Sequence, residues 1–205
     1  MKLLPLFYLP PISWWSEFLL EEPIILEQHE NFPKQTYRNR ANIYGANGKL
    51  SLSIPIKHNG KRALKDLEIS YDENWQSLHW KSIKIAYQTS PYFEFYESKL
   101  EKIFQSKETY LKDLNLKALD IIQDILKTDK TFQLSKSYEK EIEGEDYRDC
   151  FSAKQPTSYD VNEYYQTFSD KLGFLEDLSI LDLICNIGPE ATTYIRNVKL
   201  KIKMV

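Results

Sequence analysis

Leu3-Leu4-Pro5-Leu6-Phe7-Tyr8-Leu9-Pro10-Pro11-Ile12-Ser13-Trp14-Trp15-Ser16-Glu17-Phe18-Leu19-Leu20 is the stretch that sets the fold class. Leu3 to Leu9 is a short apolar run that reads as a strand, and Pro10-Pro11 stops it. Ile12 to Leu20 reads as a short helix with Trp14, Trp15 and Phe18 along one side. Pro23 restarts the chain, and Ile24 to Glu27 reads as a second strand. A strand, a helix and a strand in that order predict an α/β layer architecture. The expected form is a mixed sheet with this N-terminal unit and a hairpin, covered by several helices from the middle and C-terminal parts.

Asn31 to Arg40 has no clean period and reads as a loop. Ala41 to Tyr44 and Lys49 to Ile56 flank Gly45-Ala46-Asn47-Gly48, where Asn47-Gly48 predicts a hairpin turn with both residues at positive φ. Leu50 to Ile54 alternates apolar and polar, which predicts one buried and one wet face. Leu67 to Ser70 reads as an edge strand. The middle of the chain is helical. Trp75, His79, Ile83, Ala86 and Tyr87 share one face of a helix capped by Asp72 or Asn74. Ser90-Pro91 opens the next helix. Leu111 to Leu126 is a third helix, amphipathic at Leu111, Leu114, Leu119, Ile122, Ile125 and Leu126. Phe132 to Ser135 reads as a strand and Glu139 to Asp149 as an exposed connection. Asp160 with Glu163 resembles a capping box for a helix bearing Val161, Tyr164, Tyr165 and Phe168. Ser179 with Asp182 starts another, ended by Gly188-Pro189, and a final helix follows from about Glu190.

A length of 205 residues suits one domain, taken as 1–205. With 14% aromatic residues the composition is globular. Cys150 and Cys185 are the only two cysteines, too few for a disulfide framework. No apolar run approaches a membrane span, and the proline-broken N-terminus lacks a cleavage pattern. These features predict a cytoplasmic protein. Six glycines, none arranged as a dinucleotide or phosphate loop, argue against backbone cradling of a nucleotide. No paired-cysteine or His-Glu-x-x-His pattern recommends zinc, and His29 with His58 has no metal spacing behind it.

The charge is unevenly spread. No acidic residue falls between Asn31 and Lys65, whereas eight of the 27 basic residues do: Lys34, Arg38, Arg40, Lys49, Lys57, Lys61, Arg62 and Lys65. A segregated basic stretch in a chain of net charge −3 points to a local anion partner or to a solvated basic loop. Within it, Lys34-Gln35-Thr36-Tyr37-Arg38-Asn39-Arg40 is dense in donors. On an extended chain Arg38 and Arg40 share a face and could clamp a phosphate or carboxylate, with Tyr37 and Asn39 on the other face. On this reading Arg38→Ala abolishes activity and leaves the melting temperature nearly unchanged; if Arg38 instead pairs within the fold, the variant unfolds. Just upstream, Glu27 and His29 would point the same way from a strand end, so that the carboxylate could orient the imidazole for acid–base work, although a surface histidine is the commoner outcome. His79 reads as a half-buried ring bonded to a neighbour. Trp14 and Trp15 read as core or interface, or as a stacking surface. Cys185 reads as a buried apolar residue. Cys150 reads as exposed and a weak candidate nucleophile.

Tyr8-Leu9-Pro10, Tyr37-Arg38-Asn39-Arg40, Leu52-Ser53-Ile54-Pro55-Ile56, Ser90-Pro91-Tyr92-Phe93 and Leu178-Ser179-Ile180-Leu181-Asp182-Leu183 follow one another in an order that resembles the WbqC-like family, over essentially the whole chain. It departs from that pattern where Pro5-Leu6-Phe7 stands in place of the family's Gln-Pro-His. The resemblance implies a context, bacterial cell-surface polysaccharide and O-antigen biosynthesis, and no settled reaction. Carried onto matching positions, it places the site expectation on Tyr37, Arg38, Asn39 and Arg40 only; Lys34, Gln35 and Tyr8 complete the expected ligand-binding set. The expected function is therefore a transferase-type enzyme acting on a small anionic ligand: a nucleotide-sugar, a sugar phosphate or an acyl donor. Glu27 and His29 are its acid–base candidates. No cofactor is assigned, and neither nucleic acid nor a membrane span is expected. The alternative is a non-catalytic module binding a sugar or partner through the aromatic surface near Trp14, Trp15 and Tyr92 to Tyr96.

Overall fold

The computed structural model describes residues 1–201. In chain order the elements are β1 Lys2–Pro5, α1 Ile12–Phe18, β2 Ile24–Glu27, β3 Arg40–Gly45, β4 Gly48–Ser53, α2 Trp75–Tyr87, α3 Phe93–Gln105, α4 Leu111–Leu126, β5 Phe132–Leu134, β6 Glu145–Asp146, β7 Tyr159–Asp160, α5 Ser169–Leu172, α6 Ile180–Ile187, α7 Ala191–Asn197 and β8 Lys199–Leu200. The protein is α/β, as the opening stretch predicts.

β1 and β2 run parallel, with Leu3 opposite Ile25 and Leu4 opposite Leu26. Parallel neighbours need a crossover, which α1 supplies. β5 pairs parallel with β2, and β6 pairs parallel with β1, giving the order β5-β2-β1-β6. The predicted hairpin stands apart as a two-stranded sheet, β3-β4, and β7-β8 forms another. β1 is shorter than its apolar run. Proline at Pro5 removes a ladder donor, and the chain then curls through Leu6 to Leu9, all buried, with Leu9 at φ 43°.

Side chains alternate across a strand. Leu4, Ile24 and Leu26 face the helices and enter one continuous apolar core that extends to Val198. There α1 inserts Trp14, Trp15 and Phe18, with the Trp14 and Phe18 rings stacked at 4.9 Å and 15°. Leu3, Ile25 and Gln133 face the other way. Their cover is the irregular segment 135–144 rather than a helix.

The buried face of α2 is Trp75, His79, Ile83, Ala86 and Tyr87, the set read from its period. Ser179 caps α6 by accepting from the Leu181 amide. Three local expectations are corrected. The hairpin turns on Ala46 and Asn47, since Gly45 pairs with Gly48, and of these four residues only Gly48 has positive φ, 106°; the register is continuous up to the two-residue turn. Asp160 does not cap a helix: it pairs with Lys199 in β7-β8, and the next helix is the single turn Ser169–Leu172. Leu67 to Ser70 makes only isolated bridges, Ile56 to Ile69 and Glu68 to Tyr110.

Candidate functional site

Three strands of the parallel sheet end in polar side chains. Glu27 closes β2, Ser135 follows β5, and Arg148 lies just beyond β6. Glu27 is 1% exposed. Its Oε1 accepts from the Ser135 hydroxyl at 2.7 Å and from the His29 amide at 2.6 Å. The Gln28 amide in turn donates to Ser135 Oγ at 3.0 Å. Arg148 Nη1 stands 3.7 Å from Glu27 Oε2. The same guanidinium bonds Asp146 through Nε at 3.0 Å, donates to the Glu139 carbonyl at 2.8 Å, and lies 4.9 Å from the Tyr138 ring. Arg148 therefore ties the segment over the outer sheet face to the strand ends. Its bond holds the Asp146 carboxyl below the usual carboxylate range.

Arg38 packs beside this group, 2% exposed. Nε and Nη2 donate to the two oxygens of Glu30, each at 2.6 Å, and Nη2 also reaches the Arg148 carbonyl at 3.0 Å. Burial pushes the Glu30 carboxyl up, and Arg38 pulls it back. Nη1 of Arg38 has no hydrogen-bond partner among the described residues. It is not one of the fully enclosed orphan atoms, and Arg38 borders a hollow of about 230 Å³ together with Lys34, Gln35, Arg148 and Lys154. A second hollow, of about 560 Å³, lies on the outer sheet face and is bordered by Glu27 and Ser135. Arg148 and Glu27 stand between the two.

The residues singled out from the sequence separate. Arg38 and Arg40 share no face: Arg38 turns inward, whereas Arg40 opens β3 and donates to Ser53 Oγ on the hairpin at 3.1 Å. The reason is that Lys34–Arg40 is not one extended strand: Gln35 turns it at φ 61°, and a second turn at 37–38 with a bend at Asn39 separates the two arginines. Tyr37 is buried against the Phe7 ring at 5.6 Å. Tyr8 is fully buried, with its hydroxyl 3.1 Å from His79 Nδ1. Asn39 holds the hairpin through the Ile54 carbonyl at 2.8 Å. Tyr8 and Asn39 border neither hollow, while Lys34 and Gln35 are exposed on the rim of the smaller one. Glu27 does not orient the His29 imidazole; its bond to that residue is to the backbone amide. The His29 ring is half-buried and His58 is exposed, and no group of three metal-ligating side chains occurs among the described residues. Trp14 and Trp15 are fully buried and offer no stacking surface. Cys185 is buried and Cys150 exposed; burial first, then Asp146 and Asp149, push the Cys150 thiol up, away from a thiolate.

Glu30, Ser135 and Arg148 were missed. The signal available was positional: each lies within three residues of the end of an apolar or extended run. An open parallel α/β sheet binds ligands at the carboxyl ends of its strands.

The fold and this edge thus define an α/β protein with polar chemistry gathered where such sheets take ligands. The chain belongs to the WbqC-like protein family, whose model matches residues 7–159. The matched segment contains Glu27, Glu30, Arg38, Ser135 and Arg148. A protein of Mycobacterium tuberculosis, uncharacterized protein Rv1507c, is 23% identical over 219 residues, covering 92% of this chain and 94% of that protein. No solved structure matches the chain. Among the described residues, no helix is long and apolar enough to cross a membrane.

Proposed function

We propose that this protein is a transferase-type enzyme of bacterial cell-surface polysaccharide assembly that holds a phosphate-bearing donor in the basic hollow. The observation that carries the reading is Arg38: 2% exposed, fixed by Glu30, with Nη1 unbonded among the described residues, and bordering the hollow rimmed by Lys34 and Lys154 against the one acid Asp149. A guanidinium oriented by a carboxylate presents its remaining donors without further ordering, and charge-assisted bonds to phosphate are strong. Lys34, Lys154 and Gln35 meet the anion from the rim. Tyr37 and Asn39 shape the scaffold behind it. His29, its backbone fixed by Glu27, is the acid–base candidate at the same edge. The polysaccharide context comes from the family resemblance, and the donor class from the charge of the hollow.

The test is a thermal-shift screen with nucleotide-sugars, sugar phosphates and acyl-coenzyme A. A ligand at about 100 times its dissociation constant adds about 2.7 kcal/mol and raises the melting temperature by several degrees. The expected hit disappears in the double variant Lys34→Ala, Lys154→Ala, whose own melting temperature is unchanged because both side chains are exposed. A flat screen on folded protein overturns the reading. It would favour a sugar-binding module, for which one observation speaks: Tyr92, Phe95 and Tyr96 border an aromatic hollow of about 350 Å³, with Phe95 71% exposed.

A further inference from the structure

We propose that the larger hollow on the outer sheet face is a second binding site, for a hydroxylated amine of the amino-sugar class, with Glu27 Oε2 as the acceptor of its ammonium group. Glu27 is 1% exposed, and both of its hydrogen bonds among the described residues fall on Oε1. Oε2 has no hydrogen-bond partner among the described residues; the nearest cation, Arg148 Nη1, is 3.7 Å away and donates to the Glu139 carbonyl instead. Nor is Oε2 one of the fully enclosed orphan atoms, and Glu27 borders the hollow. Oε2 is ion-paired with Arg148 but accepts no hydrogen bond among the described residues, and a ligand N–H or O–H would supply one.

The surroundings select the charge of that ligand. Glu139, Glu141 and Glu143 rim the hollow from the covering segment, against Lys136; the Met1 ammonium at the same rim pairs with Glu22, and Arg148 is already engaged by Asp146. This field attracts a cation and repels the phosphate that suits the basic hollow beyond Arg148. A bare metal ion is disfavoured, since no three His, Cys, Asp or Glu side chains among the described residues come together to hold one. The floor is mixed: Leu3 and Ile25 offer a carbon surface, and Ser135 and Gln133 offer partners for hydroxyls. A hollow of about 560 Å³ accommodates a sugar ring. Binding of the amine stands on these observations alone; its role as acceptor for the transfer rests on the function proposed above.

The experiment is a titration of the full-length protein with glucosamine, N-acetylglucosamine and glucose, followed by calorimetry and by amide NMR. Glucosamine is expected to bind at least tenfold more tightly than the two uncharged sugars and to shift amide resonances of residues 133–143. Glu27→Gln is expected to remove that preference. If Glu27→Gln does not fold, the exposed triple variant Glu139→Gln, Glu141→Gln, Glu143→Gln still decides the matter, with glucosamine affinity expected to fall several-fold. Equal binding of glucose and glucosamine, glucosamine binding unchanged in the triple variant, competition by calcium or magnesium ions, or no binding would each overturn the proposal. Loss of donor binding in Lys34→Ala, Lys154→Ala reads the other hollow, so the two readings fail separately.

Discussion

Arg38 meets Glu30 through two parallel hydrogen bonds of 2.6 Å, with both side chains buried. Removing one partner of such a pair leaves an uncompensated charge inside, which costs about 3–5 kcal/mol. Arg38→Ala is therefore expected to lower stability by that amount in urea unfolding, contrary to the unchanged melting temperature expected of a surface arginine. Arg38→Lys is expected to lose part of it, since an ammonium cannot form the two-pronged contact. Replacing both residues, as Arg38→Met with Glu30→Leu, is expected to recover much of the loss. An Arg38→Ala protein as stable as the parent would show that the pair contributes nothing to the fold.

Trp14 and Trp15 are adjacent and equally buried, yet their indole N–H groups differ. Trp14 Nε1 donates to the Pro5 carbonyl at 2.9 Å, whereas Trp15 Nε1 has no partner among the described residues. Phenylalanine at either position removes similar apolar area. Only Trp14→Phe breaks a hydrogen bond at the end of β1, so it is expected to be the more destabilising of the two by about 1–3 kcal/mol. Denaturant unfolding of the two variants side by side measures the difference, and equal stabilities would contradict it.

Two buried groups respond to acid in opposite senses. Burial lowers the His79 imidazole from 6.5 to about 4, and burial raises the Asp182 carboxyl from 3.8 to about 6. Between about pH 4 and 6 the unfolded chain holds a proton on His79 that the folded chain releases, while the folded chain holds one on Asp182 that the unfolded chain has lost. The first makes stability rise with pH and the second makes it fall, each by about 1.4 kcal/mol per unit, so they largely cancel. Asp182→Asn is expected to unmask the histidine. Relative to the parent, its stability should climb with pH across that window and level off above it. His79→Gln should show the reverse slope. Urea titrations at several pH values decide this, and a variant that tracks the parent would mean its group does not titrate there.

Gly188 sits at φ 53° where α6 ends, under the Tyr92 ring, and a Cβ added there would lie 2.4 Å from a ring carbon. Gly188→Ala is expected to cost more than about 2 kcal/mol, from backbone strain together with the clash. Adding Tyr92→Ala should relieve the clash and leave the strain, so unfolding of the double variant separates the two. No recovery on removing the ring would mean that strain alone is responsible.

Features that depend on near neighbours could be read from the chain alone. The strand–helix–strand opening, the buried face of α2 from Trp75 to Tyr87, the bounds of α4 and the Ser179 cap were all legible, because helical period and capping act within a few residues. The basic stretch was legible as charge, and Lys34 and Gln35 border the hollow that Arg38 also borders. Tertiary structure decided the rest. Arg38 faces inward because Glu30 waits there, and Arg148 reaches Glu27 because β6 pairs with β1, placing Leu3 opposite Asp146. The Asp160 cap fails because β8 returns to pair with it. A charge pattern states how many partners a chain needs, but which acid meets which base is set by where distant segments come back together, and that is a property of the packed core.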